Sequence, residues 1–327
     1  MGELATAQSI GAVELEAIVR EALDEARGQG VDQAEVSVSH DIGLSATARL
    51  GDVESLEYTN DRGIWITVYR DSRKGSASTS DVSRDAIREA VGKAVTFAQY
   101  TAQDEYAGLA DAERMCAVVP DLQLDFPWTI DSDHAIDLAV KCEAAALSLD
   151  KRITNSEGAT IWTNRGVRAY GNTHGVVGGY AKTGHSISCA VLGEVDGSME
   201  RDYYYSSARD HADLEDPVEI GETAAKRTVD RLGARKIPTT RAPVLFSAEL
   251  ARGFIGHAMS AIAGGAQYRR SSFLLDAVGE SVFPDFVDIA ERPHLPKGMA
   301  SVPYDAEGVA TWDRDVVSGG KLEGYIL

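Results

Sequence analysis

Residues 243–265 read PVLFSAELARGFIGHAMSAIAGG, and the reading of the last third of the chain turns on this stretch. The apolar run Val244-Leu245-Phe246 predicts a short strand, and the residues after it repeat at helical spacing. At 100° per residue, Leu250, Phe254, His257 and Ala261 share one narrow stripe, with Ile255, Ala258 and Ile262 at its edge. The pattern predicts a helix whose histidine faces inward. Arg252 falls opposite the stripe, Gly253 and Gly256 thin one flank so that another backbone can approach, and Gly264-Gly265 is expected to stop the helix.

Zinc peptidases often carry a His-Glu pair and a second His on such a helix, because the imidazoles hold the metal while the carboxylate activates its water. Here the first two places are Arg252 and Gly253, and His257 is the sole remnant metal candidate. A guanidinium has no lone pair for a metal, and glycine cannot take a proton. With these residues the chain resembles the TldD/PmbA family, bacterial two-subunit metallopeptidases once called modulators of DNA gyrase. One subunit of that family carries a His-Glu-x-x-x-His motif; the other, PmbA or TldE, lacks it. The motif falls on Arg252, Gly253 and His257, so the resemblance is to the PmbA side. It extends to YAGLADAERM (106–115), MERDYYYSSARDHADL (199–214) and the long run from Ala266 to Thr311. It covers nearly all of this chain but only part of a family member, and so predicts a truncated product or fragment whose last sheet lacks neighbouring strands.

Bulk properties narrow the partners. A chain of 327 residues accommodates two or three domains, and 44% hydrophobic with 25% charged residues is ordinary for a globular protein. With 32 basic against 51 acidic residues the net charge is -19, which repels nucleic-acid phosphate and anionic lipid. Direct DNA binding and a membrane role are not expected. Cys116, Cys142 and Cys189 form no CxxC pair, the N-terminus lacks the basic start of a signal peptide, and a cytoplasmic location is expected. Met1 to Thr6 fits a loose myristoylation pattern, read as chance because no basic residues flank it.

The fold class expected is α+β in three parts. Residues 1–112 form a helix/antiparallel-sheet domain. Its helices span 12–27 and begin again near Ser80 or Ser83, and its strands are marked by Ala34/Val36/Val38, Leu44/Ala46/Ala48/Leu50 and Ile64/Ile66/Val68. Arg73-Lys74-Gly75 closes a hairpin. Residues 113–236 give a strand-rich central domain: a helix through Ala135, Ala139, Cys142 and Ala146, strands over 152–207, and a helix from Pro217 to Leu232. Ile187, Cys189 and Val191 alternate with Ser186, Ser188 and Ala190, so one sheet face is expected to be wet. Residues 237–327 form an incomplete strand-helix-strand metallopeptidase-like domain ending in the strand pattern Gly324-Tyr325-Ile326-Leu327.

Several polar groups compete for a functional role. Tyr203, Tyr204 and Tyr205 fit a peptide-contacting surface as well as ordinary strand alternation. Arg269, Arg270, Ser271 and Ser272 suit a peptide carboxylate, against a plain loop paired with neighbouring acids. Asp131, Asp133 and His134 are read as helix caps rather than ligands, Asp210-His211-Ala212-Asp213 as a solvated loop, His294 as a surface or packing residue, and Pro303 to Gly308 as a turn. Gly175, Gly178 and Gly179 miss the dinucleotide spacing.

The resemblance implies a PmbA/TldE-type subunit with no catalytic residues or cofactor of its own. A TldD-type partner would hold the zinc, and small or unfolded peptides would be cleaved, as in microcin-type maturation and antitoxin degradation. Without that partner a homodimer is conceivable. Two alternatives stand beside this: a stand-alone metallopeptidase improvised around His257 and Glu249, and a non-proteolytic interaction protein.

Overall fold

A computed structural model describes residues 10–326, which leaves the Met1–Thr6 pattern outside the described residues. The chain divides into two compact units, one of Met1–Ala234 with Leu295–Thr311 and the other of Arg235–His294 with Trp312–Leu327.

The first unit is built on one antiparallel sheet of order β3-β2-β1-β4-β5-β6, made of β1 (Gln33–Arg49), β2 (Asp52–Arg70), β3 (Arg73–Thr79), β4 (Ile153–Asn172), β5 (Val177–Val195) and β6 (Ser198–Ala208). The two apolar runs expected as separate strands at 34–38 and 44–50 are one strand, β1. His40 and Ile42 continue their parity, so the alternation never breaks. β1 pairs with β4 from Glu35↔Asn172 to Ala48↔Ala159, which joins the strands on either side of residue 112 into a single sheet.

Parity on β1 places both helix pairs on the same sheet face. Ala34, Val36 and Val38 pack with α1 (Ala12–Gly28) and α2 (Arg84–Tyr100), while Leu44, Ala46 and Ala48 pack with α3 (Ser132–Leu149) and α4 (Pro217–Arg231). Ser83 and Asp216 cap α2 and α4, and Asp131 caps α3 by accepting the His134 N–H at 2.8 Å. The Glu143 carboxylate on α3 accepts from the N–H groups of Leu50 and Gly51, both at 2.9 Å, and so fixes the β1–β2 turn, where both residues have positive φ. The helices also approach closely at glycines. A Cβ on Gly75 would run into the Ala94 carbonyl, and one on Gly221 into the Cys142 carbonyl. All three cysteines are buried and free.

The second unit holds α5 (Ala248–Ala261), α6 (Gly264–Tyr268) and the small sheet β7-β8-β9 (Ile289–Glu291, Arg314–Ser318, Lys321–Leu322) around Ile262, Ala277, Val316, Val317 and Leu322. The expected strand at 244–246 does not form. Residues 241–247 are irregular, with Leu245 wholly exposed, because no strand lies beside them to take their backbone groups. The glycine pair does not end the helix either. α5 stops at Ala261, where the Ile326 N–H takes the Ile262 carbonyl at 3.0 Å and the Gly264 N–H donates to the Ile326 carbonyl at 2.6 Å; Gly264-Gly265 instead opens α6. Among the described residues no helix is long and apolar enough to cross a membrane.

Candidate functional site

On α5 the structure corrects the expected orientation. Ala261 is buried, but Leu250, Phe254 and His257 of the same stripe are exposed, while Ala251, Ala258 and Met259 are half-covered and Ile262 is buried. The face turned to the unit's own core therefore lies about one residue, 100°, around from the predicted stripe, through Ala251, Ala258 and Ile262. The reason is the small core beneath, which takes alanines and Ile262 but has no wall to receive Leu250 and Phe254; Phe254 instead meets Phe246, edge to face at 4.5 Å between centroids. Arg252 is exposed, and Cβ atoms on Gly253 and Gly256 would meet no atom within 4 Å. Among the described residues no three His, Cys, Asp or Glu side chains are placed to hold a metal ion. The motif helix of this chain thus does not fit zinc: it offers one imidazole beside a guanidinium and a hydrogen atom.

The nearby candidates divide. Ser272 works inside the fold: its hydroxyl donates to the Ala261 carbonyl at 2.5 Å, which closes the end of α5, and accepts the Leu274 N–H at 3.0 Å. Arg269, Arg270 and Ser271 stay exposed; Arg270 sits at positive φ and reaches Asp276 only at 3.9 Å. His294 is exposed.

The three tyrosines also separate by strand parity. Tyr203 and Tyr205 stack on the face of β6 away from the helices, with centroids 6.2 Å apart. Tyr204 points to the other face, packs against the α3/α4 core, donates to Glu215 at 3.1 Å and lies under the Arg227 guanidinium at 4.5 Å. The helix-free face continues across the sheet through Ser37, Ser39, Gly43, Ser45 and Thr47 on β1, Asn164, Gly166 and Arg168 on β4, and Lys182, Gly184 and Ser186 on β5. Trp65 and Trp162 stand exposed on it. A cleft of about 450 Å³ opens there between Asp41, Trp65, Arg168, Tyr180 and Tyr304. Small floor residues, some buried and some half-buried, are flanked by aromatic rings on this face.

Asp210-His211-Ala212-Asp213 is solvent-exposed over residues 211–213, as expected, but it is ordered rather than a plain loop. It forms a 3-10 turn capped by Asp210, whose carboxylate and that of Asp213 receive the Lys297 ammonium at 2.8 and 3.0 Å; the Lys297 hydrogen bond holds the Asp210 carboxyl below its usual range. His211 stacks on Trp128, 5.2 Å between centroids. Lys297 provides the reason for the difference, since it comes from a segment 84 residues further on.

Sequence reasoning missed a polar belt between the two helix pairs. His185 is buried, with Nε2 3.0 Å from the Phe126 carbonyl and Nδ1 2.8 Å from the Thr163 hydroxyl. A carbonyl only accepts, so Nε2 carries the proton and Nδ1 accepts from Thr163. Burial, the largest influence, pushes the His185 pKa down. Arg165 grips Asp125 with two hydrogen bonds, 2.9 and 2.7 Å, and the Phe126 N–H donates to Thr183 Oγ1 at 2.9 Å, so residues 124–126 are stitched over the strands. His40 accepts the Ile10 N–H on Nδ1 at 3.2 Å and meets Asn60 at 2.8 Å. The signal was available: His185 has the parity of Ile187, Cys189 and Val191, and His40 that of Val38 and Leu44.

The six-stranded sheet with its helix pairs, and the helices and small sheet of the second unit, make this an α+β protein, and the class its sequence matches is that of the PmbA/TldA metallopeptidases. Three domain models of that class match it: PmbA/TldA metallopeptidase domain 1 over residues 34–98, the central domain over 125–232 and the C-terminal domain over 239–327. Metalloprotease PmbA of Escherichia coli O157:H7 is 47% identical over 313 residues, which cover 96% of this chain and 69% of that protein. A PmbA homolog from Haemophilus influenzae is 46% identical, over 90% of this chain and 65% of its own length. The chain thus spans about two thirds of these relatives. Among solved structures, a protein described as a modulator of DNA gyrase from Bacteroides thetaiotaomicron aligns with TM-score 0.90 and 26% identity over 95% of this chain and 71% of its own. TldE from Thermococcus kodakarensis, at TM-score 0.73 and 18% identity over 95% and 69%, shares the fold. The chain belongs to the PmbA/TldD metallopeptidase family, on the PmbA side.

Proposed function

We propose that this chain is the PmbA/TldE-type subunit of a cytoplasmic heteromeric metallopeptidase, in which a TldD-type subunit holds the zinc and cleaves small or unfolded peptides. The observation that carries the reading is the occupancy of the motif positions. Arg252 and Gly253 stand where a ligand and a general base are needed, His257 is exposed, and no group of three possible metal ligands forms among the described residues. The metalloprotease name of the relatives is consistent with membership of such an assembly. Microcin-type precursors and antitoxins are the substrates proposed, and a homodimer is the proposed state without the partner. The division at residues 112/113 and 236/237 belongs to the same reading.

In this assembly the chain supplies surface rather than chemistry. Tyr203 and Tyr205 on the helix-free face, and the exposed Arg269, Arg270 and Ser271, are the side chains proposed to meet peptide, through aromatic contact area and through hydrogen bonds to carboxylates. Ser272 and Tyr204 are withdrawn from that role by their internal partners. The test is hydrolysis of an unstructured peptide pool by this chain, by a metal-bearing TldD-type subunit, and by the two mixed. Activity in the mixture that exceeds the sum of the separate chains is the expected result. Metal-dependent hydrolysis by this chain alone would refute the proposal.

A further inference from the structure

In an acidic protein, cations without carboxylate partners are conspicuous, and the helix-free face of the sheet gathers them. Lys182 on β5 is half-buried and, among the described residues, has neither a hydrogen-bond nor an ion-pair partner. Across the sheet it lies in register with Gly166, and Gly166 with Asp41. The missing side chain of Gly166 lets the ion pair between Arg168 and Asp41, at 2.8 Å, lie flat over the strand; a Cβ there would meet Asp41 Oδ1 at 2.6 Å and Arg168 Nη1 at 3.2 Å. Arg209, buried at 7% exposure, spends its donors on neutral acceptors: the carbonyls of Thr183 at 2.6 Å, Met299 at 2.6 Å and Gly298 at 3.4 Å. Its charge meets no carboxylate among the described residues. Tyr180, on the same face as Lys182 two residues before it, is half-buried, and its hydroxyl donates to no described residue.

Lys182 and Arg168 are half-buried and Arg209 is buried, and among the described residues the one carboxylate paired with any of them is Asp41; Asp61, opposite Asp41 on β2, and Asp305 at the cleft are exposed to solvent. Burying an unneutralised cation is costly, and a fold gains nothing from doing so twice side by side unless an anion arrives. Burial, then the guanidiniums of Arg168 and Arg209, depress the Lys182 pKa, with Asp41 pulling the other way. The cleft beside Arg168 and Tyr180 gives access.

We infer that Lys182, Arg168 and the Tyr180 hydroxyl form an anion site on this face that receives a peptide carboxylate, with Arg209 adding its charge from beneath. The inference rests on the peptide-handling reading above and names where one end or one acidic side chain of the peptide is held.

The test uses the full chain and its Lys182→Gln variant, with circular dichroism to verify folding. Four probes are titrated: an unstructured peptide free of acidic residues with a free C-terminus, its C-terminal amide, the amide with one internal glutamate, and inorganic phosphate. Affinity is read by calorimetry, and Lys182 accessibility in the unsubstituted chain by acetylation and mass spectrometry, which serves even if the variant misfolds. At least one carboxylate peptide should shield Lys182 and lose about tenfold in affinity in the variant, as loss of a charge-assisted hydrogen bond implies, while the amide does neither. Comparing the free-terminus and glutamate peptides identifies which carboxylate is held. Equal binding of the acid-free amide, shielding by phosphate alone, or a change under about twofold in the variant would overturn the site. Such a result with the mixed-subunit hydrolysis intact removes this site only; carboxylate binding without hydrolysis in the mixture removes the proposed function instead.

Discussion

Two glycines on two helices separate the regions of this molecule. On α4, Gly221 sits where the Cys142 carbonyl of α3 leaves room for a hydrogen and nothing larger; on α5, Gly253 faces open space. The same contrast runs through the apolar side chains. Ile220, Ala224 and Ala225 of α4 are buried against α3 and the sheet, whereas Leu250 and Phe254 of α5 are 68% and 54% exposed. Sequence periodicity marks an apolar face equally in both helices, but only in the first unit does this chain itself cover that face. What differs is the depth of core available: a six-stranded sheet under two helix pairs in one case, a three-stranded sheet of short strands in the other.

One substitution made in both helices breaks or sharpens the contrast most strongly. Gly221→Ala must push α4 off α3 and is expected to cost roughly 3 kcal/mol, the range of overpacked cores. Gly253→Ala meets no atom and is expected to raise stability by up to about 1 kcal/mol through helix propensity alone. Chemical denaturation of the two variants reads both signs; equal losses would contradict the contrast. Next in size is Glu143→Gln. It removes the charge that holds two backbone N–H groups at the β1–β2 turn, for an expected loss of roughly 2 kcal/mol by the same measurement.

The smallest effect is a pH dependence confined to the first unit. The His185 pKa is lowered in the fold, so as pH falls from about 6.5 the unfolded chain takes up its proton first, and stability declines until the folded pKa is passed. A Tm series between pH 7.5 and 5 should therefore fall less steeply for His185→Gln than for the unsubstituted chain. Parallel curves would show that the buried imidazole does not titrate with folding.

How much of this was legible beforehand follows the same division. Wherever burial is decided by parity within long strands, the sequence carried the answer: Ile187, Cys189 and Val191 against their serines placed both the core and the wet face, and Asp131 announced its cap. Parity would also have placed His40 and His185 inside, had polar residues been counted with the apolar ones. Contacts across long separations were not legible. Nothing local ties Lys297 to Asp210, Glu143 to Leu50, or Arg168 to Asp41, because these pairs exist only once the sheet has formed. At the motif helix the residue identities were readable and the orientation was not. Periodicity placed Leu250, Phe254 and His257 on one stripe, and the small core beneath selected the neighbouring one.

The central claim, that this chain lacks a metal centre of its own, is tested most directly by equilibrium dialysis of the purified chain and its His257→Ala variant against zinc, with metal content measured afterwards. The account predicts no stoichiometric zinc in either protein. One zinc per chain, lost in His257→Ala, would contradict it.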